Sequence, residues 1–264
     1  MLYLSDGINR TYNTFTYRYL ALLMSSIEIV ELAEVPEKKR VAVTGFAGPG
    51  SIGNTALMHM VRAEDYKQVA YVHGDVMPPM MILVRGEPRH GFRVYADHED
   101  ELLLLVTEAM LSTESAWGVG RELMRWLREK GVEEIIALEG FPFTQMGGRT
   151  FGFTTGGRDL QGVGVQPLSE GAIPGVNASL LEAAVRLEVD WTTVFVPTQI
   201  IGGVDYRGAA DAVQVLNRML GLDVDIKQLN EMSERMAKAA RTMQQRQQKK
   251  GGLLGRIFPG EPEG

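Results

Sequence analysis

Cysteine is absent from all 264 residues. That removes disulfides, thiolate nucleophiles and cysteine-ligated zinc, and it accords with a reducing compartment such as the cytoplasm. Histidine is scarce: His59, His73, His90 and His98 form no i,i+4 pair and have no carboxylate at a familiar ligand spacing, so no metal site is expected. No apolar run approaches the ~18 residues that cross a bilayer, and no membrane partner is expected. The net charge of −6 is distributed, with no acidic or basic tail dominating, which gives no general affinity for nucleic acid. A G-x-S-x-G elbow is also missing, which leaves serine-hydrolase chemistry of the α/β type without support.

What is present is the composition of an ordinary globular chain, 45% hydrophobic and 23% charged, long enough to bury one large core. β-type runs recur at 40–44, 68–73, 80–84, 91–95, 101–107, 133–139, 162–165 and 192–196, each bounded by Gly, Pro or charged residues. Helical patterns alternate with them. Ala116, Val119, Leu123, Trp126 and Leu127 share one face of 115–130, with Gly131 as the stop. Asn177 is placed to cap 178–187, and Asp205 to cap a helix striped by Ala209, Val213, Leu216 and Leu220 and ended by Gly221. This alternation predicts a three-layer α/β/α sandwich with a mixed sheet.

The domain organisation follows from composition. Residues 24–224 form the core, and 225–250 a C-terminal helix whose Leu229, Met232, Met236, Ala239 and Met243 make an a/d stripe two heptads long. Residues 251–264 read as a flexible tail with an apolar cluster of Leu253, Leu254, Ile257 and Phe258. Four of the eight tyrosines fall in the first 23 residues, a segment that breaks the regular pattern opening at Met24. It is expected to be an extension outside the core, read in preference as translation from an upstream start codon and alternatively as an interaction arm.

The glycine loop Gly45-Phe-Ala-Gly-Pro-Gly-Ser-Ile-Gly53 contains a literal G-x-G-x-x-G from Gly48, with Asp75 about 20 residues on. Two details oppose a dinucleotide site. Gly45-Phe-Ala separates the strand from the motif, and Pro49 removes an N–H from the loop that would cradle phosphate. The loop is expected to be a close-packing turn that holds Phe46 in the core or at a subunit contact, and no cofactor is expected. Asp75 precedes the rigid Pro78-Pro79 turn, while Glu108 and Glu139 lie at strand ends, where α/β proteins place ligands. An alternative reading therefore stays open: a hydrolase or phosphorylase acting on a nucleoside-like molecule in a cleft made by the Gly45, Asp75 and Glu139 loops. An enzyme needs acid, base and anion-binding groups converging in one pocket, whereas a protein-binding scaffold needs an exposed apolar patch.

The glycine loop, Asp75-Val-Met-Pro-Pro79, Val106-Thr-Glu-Ala109, Leu138-Glu-Gly-Phe-Pro142, Gly171-Ala-Ile-Pro-Gly175 and the stretch from Asp205 to Leu229 together resemble the proteasome assembly chaperone family, in particular the archaeal and bacterial homologues of its second eukaryotic member. The resemblance covers about 41–229. It implies a nucleoside-phosphorylase-like fold, homo-oligomers, and a non-enzymatic role binding proteasome α subunits. Some members end in a hydrophobic-tyrosine-any tripeptide that docks between α subunits; this chain ends Pro262-Glu-Gly264. The residues expected at a partner or oligomer contact are Phe46, Pro78, Pro79, Phe141, Phe143, Met232, Met236, Met243, Leu253, Leu254, Ile257 and Phe258.

Overall fold

The interior strand β7 (Leu102–Thr107) is buried along its whole length, as its unbroken apolar run requires of a strand covered on both faces. Beside it lie β2 (Arg40–Gly45), β8 (Val132–Pro142) and β11 (Asp190–Thr198), all parallel to it. Antiparallel β6 (Phe92–Ala96) separates β7 from β3 (Lys67–Gly74), and β1 (Ile27–Glu31) closes that edge. The other edge carries β9 (Phe151–Thr154) and the two-residue β10 (Gln166–Pro167). A separate hairpin pairs β4 (Met81–Val84) with β5 (Glu87–His90). The order in the large sheet is β1-β3-β6-β7-β2-β8-β11-β9-β10. This is a computed structural model describing residues 27–257 apart from 76, 85, 100 and 143–148, with backbone alone over 244–257.

Period-two alternation splits β7 between two cores. Leu103 and Leu105 face a cluster with Ala42, Ile135 and Ala137, while Leu104 and Val106 face one with Val43, Ile136 and Leu138. The first core is roofed by α2 (Thr113–Glu129) and α3 (Gly175–Leu187), the second by α1 (Ile52–Ala63) and α4 (Tyr206–Leu220). The expected three-layer sandwich with a mixed sheet is what forms. The last helix, α5 (Lys227–Ile257), seats Leu229 against the second core beside α4.

The punctuation residues act largely as expected. Gly131 follows α2 in the left-handed region at φ 77°, while the cap at its start, Ser112 Oγ accepting from Ser115 N at 3.2 Å, was not anticipated. Asp205 caps α4 through Gly208 N at 2.9 Å, and Gly221 ends it at φ 67°.

Four expectations need correction. Helix α3 begins at Gly175, after Pro174, so Asn177 lies inside its first turn and its side chain is directed to other work. Residues 162–164 form a turn rather than a strand, because Gly164 takes φ 81° and its N–H bonds back to Gln161 O at 3.0 Å. Strands β1, β5, β9 and β10 were not anticipated; β5 and β9 have four residues each and β10 two, too few to show a period. The last helix runs on through Ile257, although 251–257 read as a loop-like tail from its glycines. Residues 1–26 and 258–264 lie outside the described residues.

Candidate functional site

Because β6 runs antiparallel to both β3 and β7, the loops that follow β2, β3, β7, β8 and β11 all leave the sheet along one edge. In α/β sheets this carboxyl edge is where ligands and partners gather. The glycine loop, the Pro78-Pro79 turn, Glu108 and Glu139 all belong to it.

The glycine loop is packed against protein. A side chain at Gly45 would collide with the Gly53 carbonyl, one at Gly53 would sit 2.6 Å from Leu138 O, and one at Gly140 would strike Pro49 O. These glycines press α1 onto β2 and β8. Gly50 and Ser51 are both left-handed, at φ 64° and 46°, and Ser51 pays for that geometry with about 1 kcal/mol of strain. The turn directs Gly50 O to the Asp205 N–H at 2.8 Å, while Asp205 Oδ2 accepts from Thr198 Oγ1 at 2.7 Å. The loops after β2 and β11 are thereby tied together.

A second tie crosses the sheet. Asn177 Nδ2 donates to Glu139 Oε1 at 2.5 Å, and Asn177 Oδ1 accepts from Thr44 Oγ1 at 2.9 Å, joining α3 to the ends of β8 and β2. Burial pushes the Glu139 carboxyl up to about 7, with the Asn177 hydrogen bond opposing. Further along, Arg93 has no exposed side-chain surface, and its Nη2 pairs with Glu108 at 2.6 Å. The same guanidinium donates to Tyr95 Oη and His90 O, so the buried charge is well bonded.

The carboxylates of the alternative enzymatic reading do not come together. Asp75 is exposed and lines a cavity of about 720 Å³ after β3 with Met77, Pro78, Pro79, Met80 and Phe92. Glu139 is four strands away, roughly 19 Å at the usual ~4.8 Å spacing, and is occupied by Asn177. The glycine loop lies beside Glu139, whose Oε2 is 3.8 Å from where a side chain at Gly48 would begin, and it lines a cavity of about 440 Å³ with Thr55, Met58, Glu108, Met110 and Ile201, apart from Asp75. Among the described residues no group of three or more His, Asp or Glu could hold a metal ion.

What the edge does display is apolar surface. Met80, Met81 and Leu83 stand exposed at the β4–β5 hairpin, Met110 is 74% exposed after β7, and Ile200 and the 75%-exposed Ile201 follow β11. Ala109 lines the cavity of the methionine-proline turn, and its neighbour Met110 lines the next cavity with Ile201 and Val204. The apolar side chains therefore follow one another across the rim.

Of the residues expected at a contact, Pro78 and Pro79 lie on this rim. Phe46 is half-buried and packs edge-on against Phe92, which lines the methionine-proline cavity, with centroids 5.3 Å apart, and Phe141 meets Phe195 in the same way at 5.8 Å, away from the rim cavities. Met232 is half-buried on α5, while Met236 and Met243 are exposed. Leu253, Leu254 and Ile257 lie in the same helix, their side chains outside the described part; Phe143 and Phe258 are outside it altogether. Met80, Met81 and Leu83 beside the double proline were missed, and so were Met110, Ile200 and Ile201. Their signal is an apolar pair immediately after a buried strand, Met110-Leu111 and Ile200-Ile201, where a solvated loop would be polar.

Solved structures share this architecture. The chain is 24% identical to Pyrococcus furiosus PbaA, described as an archaeal homolog of proteasome-assembly chaperone, with a TM-score of 0.76 over 88% of this chain and 97% of that one. Pyrococcus furiosus PbaB, described as an archaeal proteasome activator, matches at 19% identity and TM-score 0.71 over 84% and 100%. An uncharacterized protein of Methanocaldococcus jannaschii is 23% identical over 218 residues, 80% of this chain and 88% of the relative. Residues 42–244, most of the sequence, match the model of the PAC2 family, and the chain belongs to that family.

Proposed function

We propose that the protein is a non-enzymatic assembly chaperone or scaffold of the cytoplasm that holds proteasome α subunits on the apolar rim above the parallel strands. The observation that carries the reading is that rim: Met80, Met81, Met110, Ile200 and Ile201, exposed and successive along one edge. Apolar surface gathered in this way marks a protein–protein contact. Its supports are tied down through Gly50–Asp205 and Glu139–Asn177, so little order is lost when a partner docks. Family membership, and the likeness to a homolog of proteasome-assembly chaperone, support a proteasome subunit as the partner.

Methionine suits the task. Its unbranched, polarizable side chain adapts to surfaces that must be held and then released during assembly. The test is binding of purified proteasome α subunits to the full chain and to a Met110→Glu/Ile201→Glu variant. Binding that is weakened at least about tenfold in the variant supports the rim. Equal binding by the two places the contact elsewhere, and no binding by either removes the α subunit as partner.

A further inference from the structure

Polar side chains that bond to nothing gather at one place, the cavity of about 440 Å³ between the glycine loop, α1 and the loops after β7 and β11. Asn54 is the deepest of them. It is only 7% exposed and its Oδ1 is spent on the Thr55 N–H at 2.9 Å, while Nδ2 has no acceptor among the described residues. A buried amide donor on a cavity wall calls for an acceptor in the cavity. Its neighbours on that wall repeat the pattern: Ser51 makes no side-chain cap bond, and the hydroxyls of Thr55 and Tyr206 and the exposed guanidinium of Arg62 have no hydrogen-bond or ion-pair partner among the described residues. Asn54, Met58 and Arg62 recur every four residues, so they share one face of α1, and the start of that helix adds its own partial positive charge.

An acceptor stands against this set of donors. Glu108 gives Oε1 to Arg93 and keeps Oε2 buried without a partner, and its side chain is 25% exposed on the cavity wall. Arg93 Nη2 also touches Met58 Sδ at 3.4 Å, which sets the Glu108 carboxylate beside the turn of α1 that begins at Asn54. Donors and acceptor are therefore about one helical turn apart. The rest of the wall is apolar, with Met58, Met110, Ile201 and Val204, and the volume lies in the range of small-molecule sites.

We propose that this cavity binds a free α-amino acid with an apolar side chain. Asn54 Nδ2, Thr55 Oγ1 and Arg62 donate to its carboxylate, its ammonium donates to Glu108, and its side chain lies against Met58, Met110 and Ile201. A zwitterion fits where phosphate does not. Glu108 lines the cavity and Glu139 Oε2 comes within 3.8 Å of where a side chain at Gly48 would begin, so two carboxyl groups oppose a doubly charged anion, and Pro49 offers the loop no N–H. The inference concerns a small ligand and stands whether or not the rim binds proteasome subunits.

The test is calorimetric titration of the full chain with L-leucine, L-isoleucine, L-methionine and L-phenylalanine, and with inorganic phosphate in parallel. At least one of the amino acids is expected to bind with a Kd below about 1 mM. The amide of that amino acid lacks the carboxylate, and its analogue without the amino group lacks the ammonium; each is expected to bind at least about tenfold more weakly. Arg62→Gln removes the cation and Asn54→Asp turns the donor into a repelling carboxylate, and each is expected to weaken binding at least about tenfold. Thermal unfolding of the unliganded variants verifies that the fold is retained; Arg62, being exposed, carries the test alone if Asn54→Asp unfolds. No heat from any of the amino acids, phosphate binding in their place, either analogue binding as tightly as the amino acid, or binding unchanged in a folded variant overturns the proposal.

Discussion

Arg93, fully buried in β6, is held by Glu108 at the end of the neighbouring β7, with Nη2 and Oε1 2.6 Å apart. One partner is out of reach of water and the other sits at the rim, so the pair fixes the floor of the glycine-loop cavity to the centre of the sheet.

Removing Glu108 alone leaves a charge buried without its counter-ion. Glu108→Ala is expected to lower stability by about 3 kcal/mol or more, a fall in Tm of roughly 6–12 °C for a domain of this size. The double variant Arg93→Met/Glu108→Leu loses much less, because no charge is then stranded. Denaturant unfolding of the three chains measures the difference.

Glu139 predicts a pH dependence. Its carboxyl titrates near 7 in the folded chain, against 4.5 for the free group, because burial disfavours the charge. Below pH 4.5 the group is protonated in both states and destabilises nothing. As pH rises toward 7 the unfolded chain ionises first, and up to about 3 kcal/mol of stability is lost. Glu139→Gln keeps an acceptor for Asn177 and cannot ionise, so its stability is expected to exceed that of the native chain at pH 8 and to match it near pH 4. Parallel stability curves for the two proteins across that range contradict the assignment.

Gly53 sits where α1 crosses the end of β8, and an added methyl would lie 2.6 Å from Leu138 O and 2.9 Å from Gly45 Cα. Gly53→Ala is expected to cost about 1–3 kcal/mol through forced separation of helix and strand. Calorimetric titration of the native chain with NAD, NADP and FAD is expected to show no heat of binding. Micromolar binding that Gly53→Ala abolishes without loss of stability assigns the loop to a ligand instead.

Much of this architecture was legible before the fold was seen. The uninterrupted apolar run of β7, the cap Asp205 and the stops Gly131 and Gly221 mark elements whose local chemistry leaves little choice. Asn177 misled because a short polar side chain at a helix start normally caps it; here its partners, Glu139 and Thr44, come from two strands distant in sequence. Residues 251–257 misled in the same way, since Gly251, Gly252 and Gly255 argue locally against helix. The glycine loop matched a phosphate-binding pattern, yet its geometry serves contact between backbones. The rim was hardest to read. Met110 and Ile201 are far apart in sequence, and only the parallel arrangement of β7 and β11 about β2 and β8 puts their loops on one edge.

The central claim is that this rim gathers proteasome α subunits during assembly. Native mass spectrometry of purified α subunits, incubated alone, with the full chain, and with the Met110→Glu/Ile201→Glu variant, tests it most directly. The account predicts complexes of α subunits with the full chain and faster accumulation of α rings, both lost with the variant. Rings that form at the same rate in all three mixtures, with no α subunit carried by the full chain, contradict it.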